Sequence, residues 1–220
     1  SPWRLELELA SAPPAGLVVE LAGAVVEVGS FRLGPIDLAL RSGDRVAIVG
    51  PNGAGKTTLV RALAGELPLA AGSRRVGPGA VLGELSQARD TFTGPLLAAF
   101  CDASGLPLLE ARTLLAKFAL GADDVERPAE GLSPGERTRA ALALLQVRAV
   151  NCLILDEPTN HLDTESIEWL EDFLSRYPGA VVFVTHDRYF LDRIATRIVE
   201  LAGGGFFSHQ GNYSDFLIAK

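Results

Sequence analysis

Eight consecutive residues, Gly50-Pro51-Asn52-Gly53-Ala54-Gly55-Lys56-Thr57, fit the spacing G-x-x-x-x-G-K-[ST]. This run constrains the fold more than any other feature of the chain. Its glycines let backbone N–H groups turn inward and approach an anion without a Cβ in the way. A helix that follows aims its N-terminus at the same anion. Lys56 adds a full charge for β and γ phosphates, and the Thr57 hydroxyl is placed to ligate Mg²⁺. A glycine-rich turn with a surface lysine has the same composition, so the flanks decide. Arg45–Val49 reads as a short buried strand, and a helix is expected from about Thr57 to Leu67. Both flanks are predicted independently of the loop, as a phosphate cradle requires.

A second feature is the apolar strand Cys152–Leu155, which ends in Asp156-Glu157. A carboxylate at the carboxyl end of a parallel strand faces the crevice where nucleotides bind. Asp156 is expected to hold Mg²⁺, directly or through water. Glu157 is then free to orient and deprotonate an attacking water. Two acids can also form an ordinary polar strand exit; the cradle on the same chain favours the metal-holding role.

The remaining pattern alternates. Strands are expected at Leu17–Leu21, Ala24–Val28, Ile36–Leu40, Ala80–Leu85, Ala180–Val184 and Arg197–Leu201. Ala71–Gly79 reads as a turn region and Asp123–Leu132 as a polar loop. Leu106, Leu109, Leu114, Leu115 and Phe118 are spaced for one apolar helix face, and a helix from Pro134 turns Ala140, Leu144 and Val147 inward. Thr164–Ser175 and Arg188–Ala195 read as further helices. Such alternation indicates a mainly parallel sheet with crossovers, carrying an inserted helical lobe at about residues 90–149. Residues 1–16, with Trp3 and Pro13-Pro14, read as a linker remnant ahead of one domain over residues 17–220. The chain starts at Ser1 and has no methionine, which fits a fragment of a longer protein.

Charge and cysteines narrow the partners. Lys and Arg number 20 and Asp and Glu 27, a formal charge of −7 that disfavours non-specific nucleic-acid binding. Cys101 and Cys152 lack metal spacing and read as buried reduced thiols. No run of 18 apolar residues spans a membrane, and no basic-then-apolar leader opens the chain, so a cytoplasmic location is expected.

Further motifs give these features a family. Leu132-Ser133-Pro134-Gly135-Glu136 resembles the signature of ABC ATPases, in its place between cradle and acidic strand. Gln87 resembles the Q-loop glutamine, Asn160-His161-Leu162-Asp163 the D-loop, and His186 in Val184-Thr185-His186-Asp187 the switch histidine. The resemblance to an ABC nucleotide-binding domain covers nearly all of the chain beyond Leu17. It implies a parallel core sheet with the P-loop, an antiparallel β subdomain and the helical lobe. The string from Asp156 to Asp163, then His186-Asp187-Arg188-Tyr189-Phe190-Leu191-Asp192 and Gly211-Asn212-Tyr213-Ser214, is similar to ABC-F proteins. These carry two such domains on one chain and act on ribosomes, some protecting them from antibiotics. The Ser133-Pro134-Gly135-Glu136 form and the Trp3 lead-in resemble the second, C-terminal domain of actinobacterial-type members; Trp169-Leu170-Glu171 resembles first domains.

The resemblance implies a division of roles. ATP would rest on Gly50, Pro51, Asn52, Gly53, Ala54, Gly55, Lys56, Thr57 and Thr58. Thr57, Gln87 and Asp156 would hold Mg²⁺, while Glu157, His186 and Gln87 would serve hydrolysis. Ser133, Gly135, Glu136 and Asp163 would complete the site of a second ABC domain facing this one head to tail. The helix tip at Ser133 suits an anion that its own distant cradle cannot supply, so the phosphate must be the partner's. Pro134 departs from the family's glycine: proline suits a first helical turn but removes one N–H. Phe31 is either the platform for adenine or a core residue. Arg137, Arg139 and Arg148 could face ribosomal RNA or lie on a solvated helix face; His161 is expected to pack in its loop and His209 to be a surface residue. Two rival functions remain, the ATPase subunit of a membrane transporter and an ATP-gated nucleic-acid-binding module.

Overall fold

The computed structural model describes residues 16–89 and 91–220, with the backbone alone at Gln87. The linker reading of residues 1–16, Trp3 included, falls almost wholly outside the described residues.

Strand β3 (Arg45–Val49) is central because its residues are buried on both faces. It lies between β7 (Ala180–Val184) and β8 (Arg197–Ala202), parallel to both. The full order is β5-β6-β7-β3-β8-β9, with β5 at Leu82–Glu84, β6 at Cys152–Asp156 and β9 at Gly205–Gln210. Every neighbouring pair is parallel except β8–β9, which closes the edge as an antiparallel hairpin.

A second sheet, β2-β1-β4, is antiparallel. The two strands expected at Leu17–Leu21 and Ala24–Val28 are one strand, β1 (Leu17–Val28). The Ala22-Gly23 interruption is a bulge: Gly23 adopts φ 56 and donates its N–H to Asp37 Oδ1 at 2.7 Å. β2 spans Phe31–Arg41. The expected turn at Ala71–Gly79 is largely a strand, β4 (Ala71–Val76). It is an exposed edge rich in Gly, Ser and Arg, and it is anchored by side chains rather than by an apolar face: Arg74 donates to the Leu63 carbonyl at 2.8 Å and Arg75 pairs with Glu20.

Helix α1 (Lys56–Ala64) follows β3 and ends at Gly65, earlier than Leu67, where a left-handed residue returns its N–H to Ala62 and Arg61. Between β5 and β6 lie α2 (Leu85–Arg89), α3 (Leu96–Ser104), α4 (Leu108–Lys117), α5 (Ala122–Glu126) and α6 (Pro134–Val147). Helix α5 replaces part of the expected polar loop; Asp124 accepts the Gly121 N–H and caps it. Leu109 is 76% exposed at the tip of α4, and the buried face is Ala111, Leu115 and Phe118 instead. Helices α7 (Thr164–Arg176), α8 (Arg188–Ile194) and α9 (Tyr213–Ala219) complete the chain. One core packs α2–α8 on one face of the parallel sheet; the other packs α1 and the antiparallel sheet on the opposite face.

Arg45 staples this arrangement. The side chain is buried and donates to the carbonyls of Leu174 (3.0 Å), Gly179 (2.7 Å), Gly43 (3.1 Å), Asp44 (3.2 Å) and Tyr177. Replacing it with Met strands several buried acceptors. Arg45→Met should cost about 3 kcal/mol, which for a domain of this size lowers the melting temperature by roughly 10 °C. Calorimetry checks this, and an unchanged Tm would mean the staple is idle.

His209 is not a plain surface residue: it is half-buried, with its ring edge-on to Phe216 at 5.1 Å. Cys152 is buried, which pushes its thiol up to about 12, whereas Cys101 is only half-buried. Arg139 stacks over Trp169 at 5.3 Å, Arg137 donates to the Glu130 carbonyl at 2.7 Å, and Arg148 is exposed.

Candidate active site

Three neighbouring strands, β6, β7 and β3, deliver their C-terminal ends to one edge of the sheet. They place Asp156-Glu157, Thr185-His186 and the loop of residues 50–55 side by side. β5, next in order, leads into α2, whose backbone carries Gln87.

The loop from β3 wraps around Lys56, whose Nζ donates to the carbonyls of Gly50 (2.9 Å) and Pro51 (3.1 Å). Gly55 caps α1 at φ 99, a conformation that disfavours a Cβ, and offers no side-chain cap. The first-turn N–H groups of Lys56, Thr57 and Thr58 therefore point out of an uncapped helix end, where negative charge is favoured. Phe31 packs on this loop: a Cβ at Gly55 would lie 2.8 Å from Phe31 Cζ. The ring is half-buried at the border of the core, so it joins the cradle to the antiparallel sheet. Asn52 and Gly53 are exposed at the loop's crest, and Ala54 donates its N–H to Pro51 at 3.1 Å.

Asp156 ends β6 half-buried. Burial pushes its carboxyl above the usual range and the Lys56 charge draws it back down. Asp156, with the Thr57 hydroxyl in the first turn of α1, would offer a sparse oxygen set. That set suits Mg²⁺, which keeps waters and takes phosphate oxygens from a substrate.

Glu157 has φ 45, unusual for a residue with a Cβ, and its N–H is held by Val184 O at 2.8 Å. The turned backbone aims the carboxylate at β7's exit. There Oε1 lies 3.3 Å from His186 Nε2, and Oε2 accepts the His186 N–H at 3.4 Å. The imidazole is mostly exposed. A carboxylate paired with an exposed imidazole beside a phosphate cradle can take a proton from water and orient it. Beneath them the Thr159 and Thr185 hydroxyls lie 3.4 Å apart, and Thr185 accepts the Asp187 N–H at 3.1 Å. Arg89 reaches from α2 to the Pro158 carbonyl at 3.2 Å. Sequence reasoning missed this underlayer, because its Thr159–Thr185 and Arg89–Pro158 pairs join residues 26 and 69 positions apart.

The other expected residues sit at two helix starts. Ser133 caps α6: its hydroxyl accepts the Glu136 N–H at 3.2 Å and Glu136 Oε2 accepts the Ser133 N–H at 2.6 Å. Glu136 Oε1 also pairs with Arg127 at 3.0 Å, a partner that sequence spacing did not reveal. Pro134 occupies the first turn without disturbing this box. Asp163 caps α7, accepting the Ser166 N–H at 2.8 Å; bonds from the Ser166 hydroxyl and N–H hold its carboxyl below the usual range. His161 is exposed with φ 66, so it does not pack into its loop. The Gln87 side chain, expected at the metal and the water, lies outside the described residues.

A family model described as ABC transporter matches residues 33–160. The energy-dependent translational throttle protein EttA of Mycobacterium tuberculosis is 35% identical over 229 aligned residues, covering 86% of this chain and 41% of that protein. ABC transporter F family member 2 of Arabidopsis thaliana is 36% identical over 186 residues, covering 82% of this chain and 27% of that protein. The chain spans less than half the length of these curated relatives. In fold it is similar to cbiO1 of Clostridium perfringens, part of the ABC transporter complex cbiONQ, with a TM-score of 0.76, 20% identity and coverage of 92% of this chain and 91% of that one. No helix among the described residues is long and apolar enough to cross a membrane. Sequence, sheet order and cradle agree: the chain belongs to the ABC family and is an ABC-type ATP-binding domain, an ATPase.

Proposed function

We propose that this domain is half of a cytoplasmic ABC-F protein, closing head to tail on a second ABC domain around ATP and acting on the ribosome. The observation that carries the ATPase half of this reading is the pairing of Glu157 with His186 at the strand edge that also presents Lys56 and Asp156. In this reading residues 50–58 bind the triphosphate and Phe31, lying on Gly55, supports the base. Thr57 and Asp156, with Gln87, hold Mg²⁺, which when bound neutralises phosphate charge. Glu157 accepts the proton of the attacking water, and His186 steadies the γ-phosphate side of that water. The capped start of α6, with Ser133, Gly135 and Glu136, faces the partner's phosphate, and Asp163 lines the same seam. ATP then favours the closed pair by binding it better than the open one.

The ribosomal role is supported by likeness to the throttle protein EttA and to an F-family member, and by the resemblance of the Asn160-His161 loop to that of ABC-F proteins. The helical lobe at residues 90–149 is read as an insertion between β5 and β6, and residues 1–16 as linker. The Ser133-Pro134-Gly135-Glu136 form favours a C-terminal, actinobacterial-type half. Protection from antibiotics is one form the ribosomal role can take.

The reading is tested with the full-length protein carrying Glu157→Gln. It should pellet with ribosomes through a sucrose cushion in ATP and stay in the supernatant in ADP. Equal pelleting in both nucleotides would overturn it. A transporter subunit is the second reading. One feature favours it: a surface cleft of about 380 Å³ between β5 and the end of α6, lined by Val81, Leu82, Leu145, Arg148 and Val150. Recovery of the variant in the membrane fraction instead of with ribosomes would decide for that reading.

A further inference from the structure

Helices α6 and α7 touch at their first turns. Gly135, the second residue of α6, is buried. A Cβ there would lie 2.0 Å from Ser166 Oγ and 2.8 Å from Ser166 Cβ; the next neighbour, Ser133 Oγ, is 3.9 Å away. The backbone at Gly135 is ordinary right-handed helix and needs no glycine. What excludes a side chain is the space that Ser166 already fills. Ser166 is itself 8% exposed and bonds to the Asp163 carboxylate through its N–H and its hydroxyl. One turn further along, Arg139 stacks on Trp169. Residues 135 and 139 are four apart and 166 and 169 three apart, so both contacts lie along one seam between the helices.

We infer that Ser166 is a positioning residue of the ATPase: it is the seat that sets where the phosphate-facing tip of α6 points. It also ties that tip to Asp163, at the end of the same loop that starts at Glu157. The inference rests on the reading of α6 as completing the partner's site. The loop carrying this domain's base and the tip facing the other nucleotide therefore shift together.

A compensation experiment on the full-length protein tests the seat, using Gly135→Ala, Ser166→Gly and the double variant. The readouts are kcat, binding of a fluorescent ATP analogue, and melting temperature. In Gly135→Ala the new methyl meets Ser166 and displaces the tip, so kcat should fall about 30-fold or more, with analogue binding at the domain's own cradle kept within about threefold. Removing the Ser166 side chain makes room for the methyl, and the double variant should regain about tenfold or more in kcat over Gly135→Ala. A purely structural defect would appear in melting and in analogue binding as well.

A slow single variant with no rescue in a folded double variant overturns the seat alone. A wild-type rate in Gly135→Ala overturns the reading of α6 beneath it, and the seat with it. If Gly135→Ala does not fold, recovery of melting and rate in the double variant supports the seat, and failure to recover overturns it.

Discussion

Glu157→Gln should slow ATP hydrolysis by a factor of about 10²–10⁴, the range for loss of a general base, while leaving ATP binding intact. The carboxamide keeps the shape of the carboxylate and can still reach His186, which lies 3.3 Å from Oε1. What it loses is the ability to accept a proton. Lys56, Asp156 and the loop from Gly50 to Gly55 are untouched, so nucleotide affinity should stay within a few-fold. With hydrolysis blocked, a two-domain protein should accumulate in its closed form, visible as a more compact species in ATP by small-angle scattering. Phosphate release measured under single turnover is the direct check. A rate within about fivefold of wild type would remove Glu157 from the base role.

Lys56→Ala should weaken ATP binding by about 100-fold, equivalent to about 3 kcal/mol for charge-assisted hydrogen bonds to phosphate. Two causes act together. The ammonium is the formal positive charge within the cradle, and its bonds to Gly50 and Pro51 shape the loop that presents the N–H groups. Arg is no substitute: a planar fork does not fit between two carbonyls spaced for a compact ammonium. Titration with a fluorescent nucleotide gives the affinity, and circular dichroism shows whether the fold is kept. Binding within threefold of wild type in a folded Lys56→Ala protein would contradict the assignment.

The cradle was legible in the sequence because its chemistry needs glycine at fixed positions, and few side-chain choices satisfy it. The buried strands β3, β6 and β7 were equally legible, since strands covered on both faces read as unbroken apolar runs. The edges were not. β4 is exposed and β9 half-exposed, and their Gly, Ser, Arg and Gln residues resemble loops; only pairing with β1 and β8 makes them strands. Leu109 fits the helical spacing yet points to solvent, because two positions from the buried Ala111 put it on the opposite side of α4. Arg45 read as the first residue of a strand, and nothing in its neighbours announced carbonyls from residues 174–179. The Thr159–Thr185 pair and the Gly135–Ser166 contact were hidden for the same reason: each joins segments that the fold, and not the chain, makes adjacent.

The backbone of Glu157 carries a longer-term consequence. A residue with a Cβ at φ 45 costs the fold on the order of 1 kcal/mol, and it does so at the one position where the carboxylate is wanted. Mutations that relax this turn are available to drift, and they trade turnover for robustness. Descendants of such a domain that stop hydrolysing would thus be expected to exchange Glu157 early for glycine or asparagine, which tolerate this turn, and to gain firmness of fold as they do.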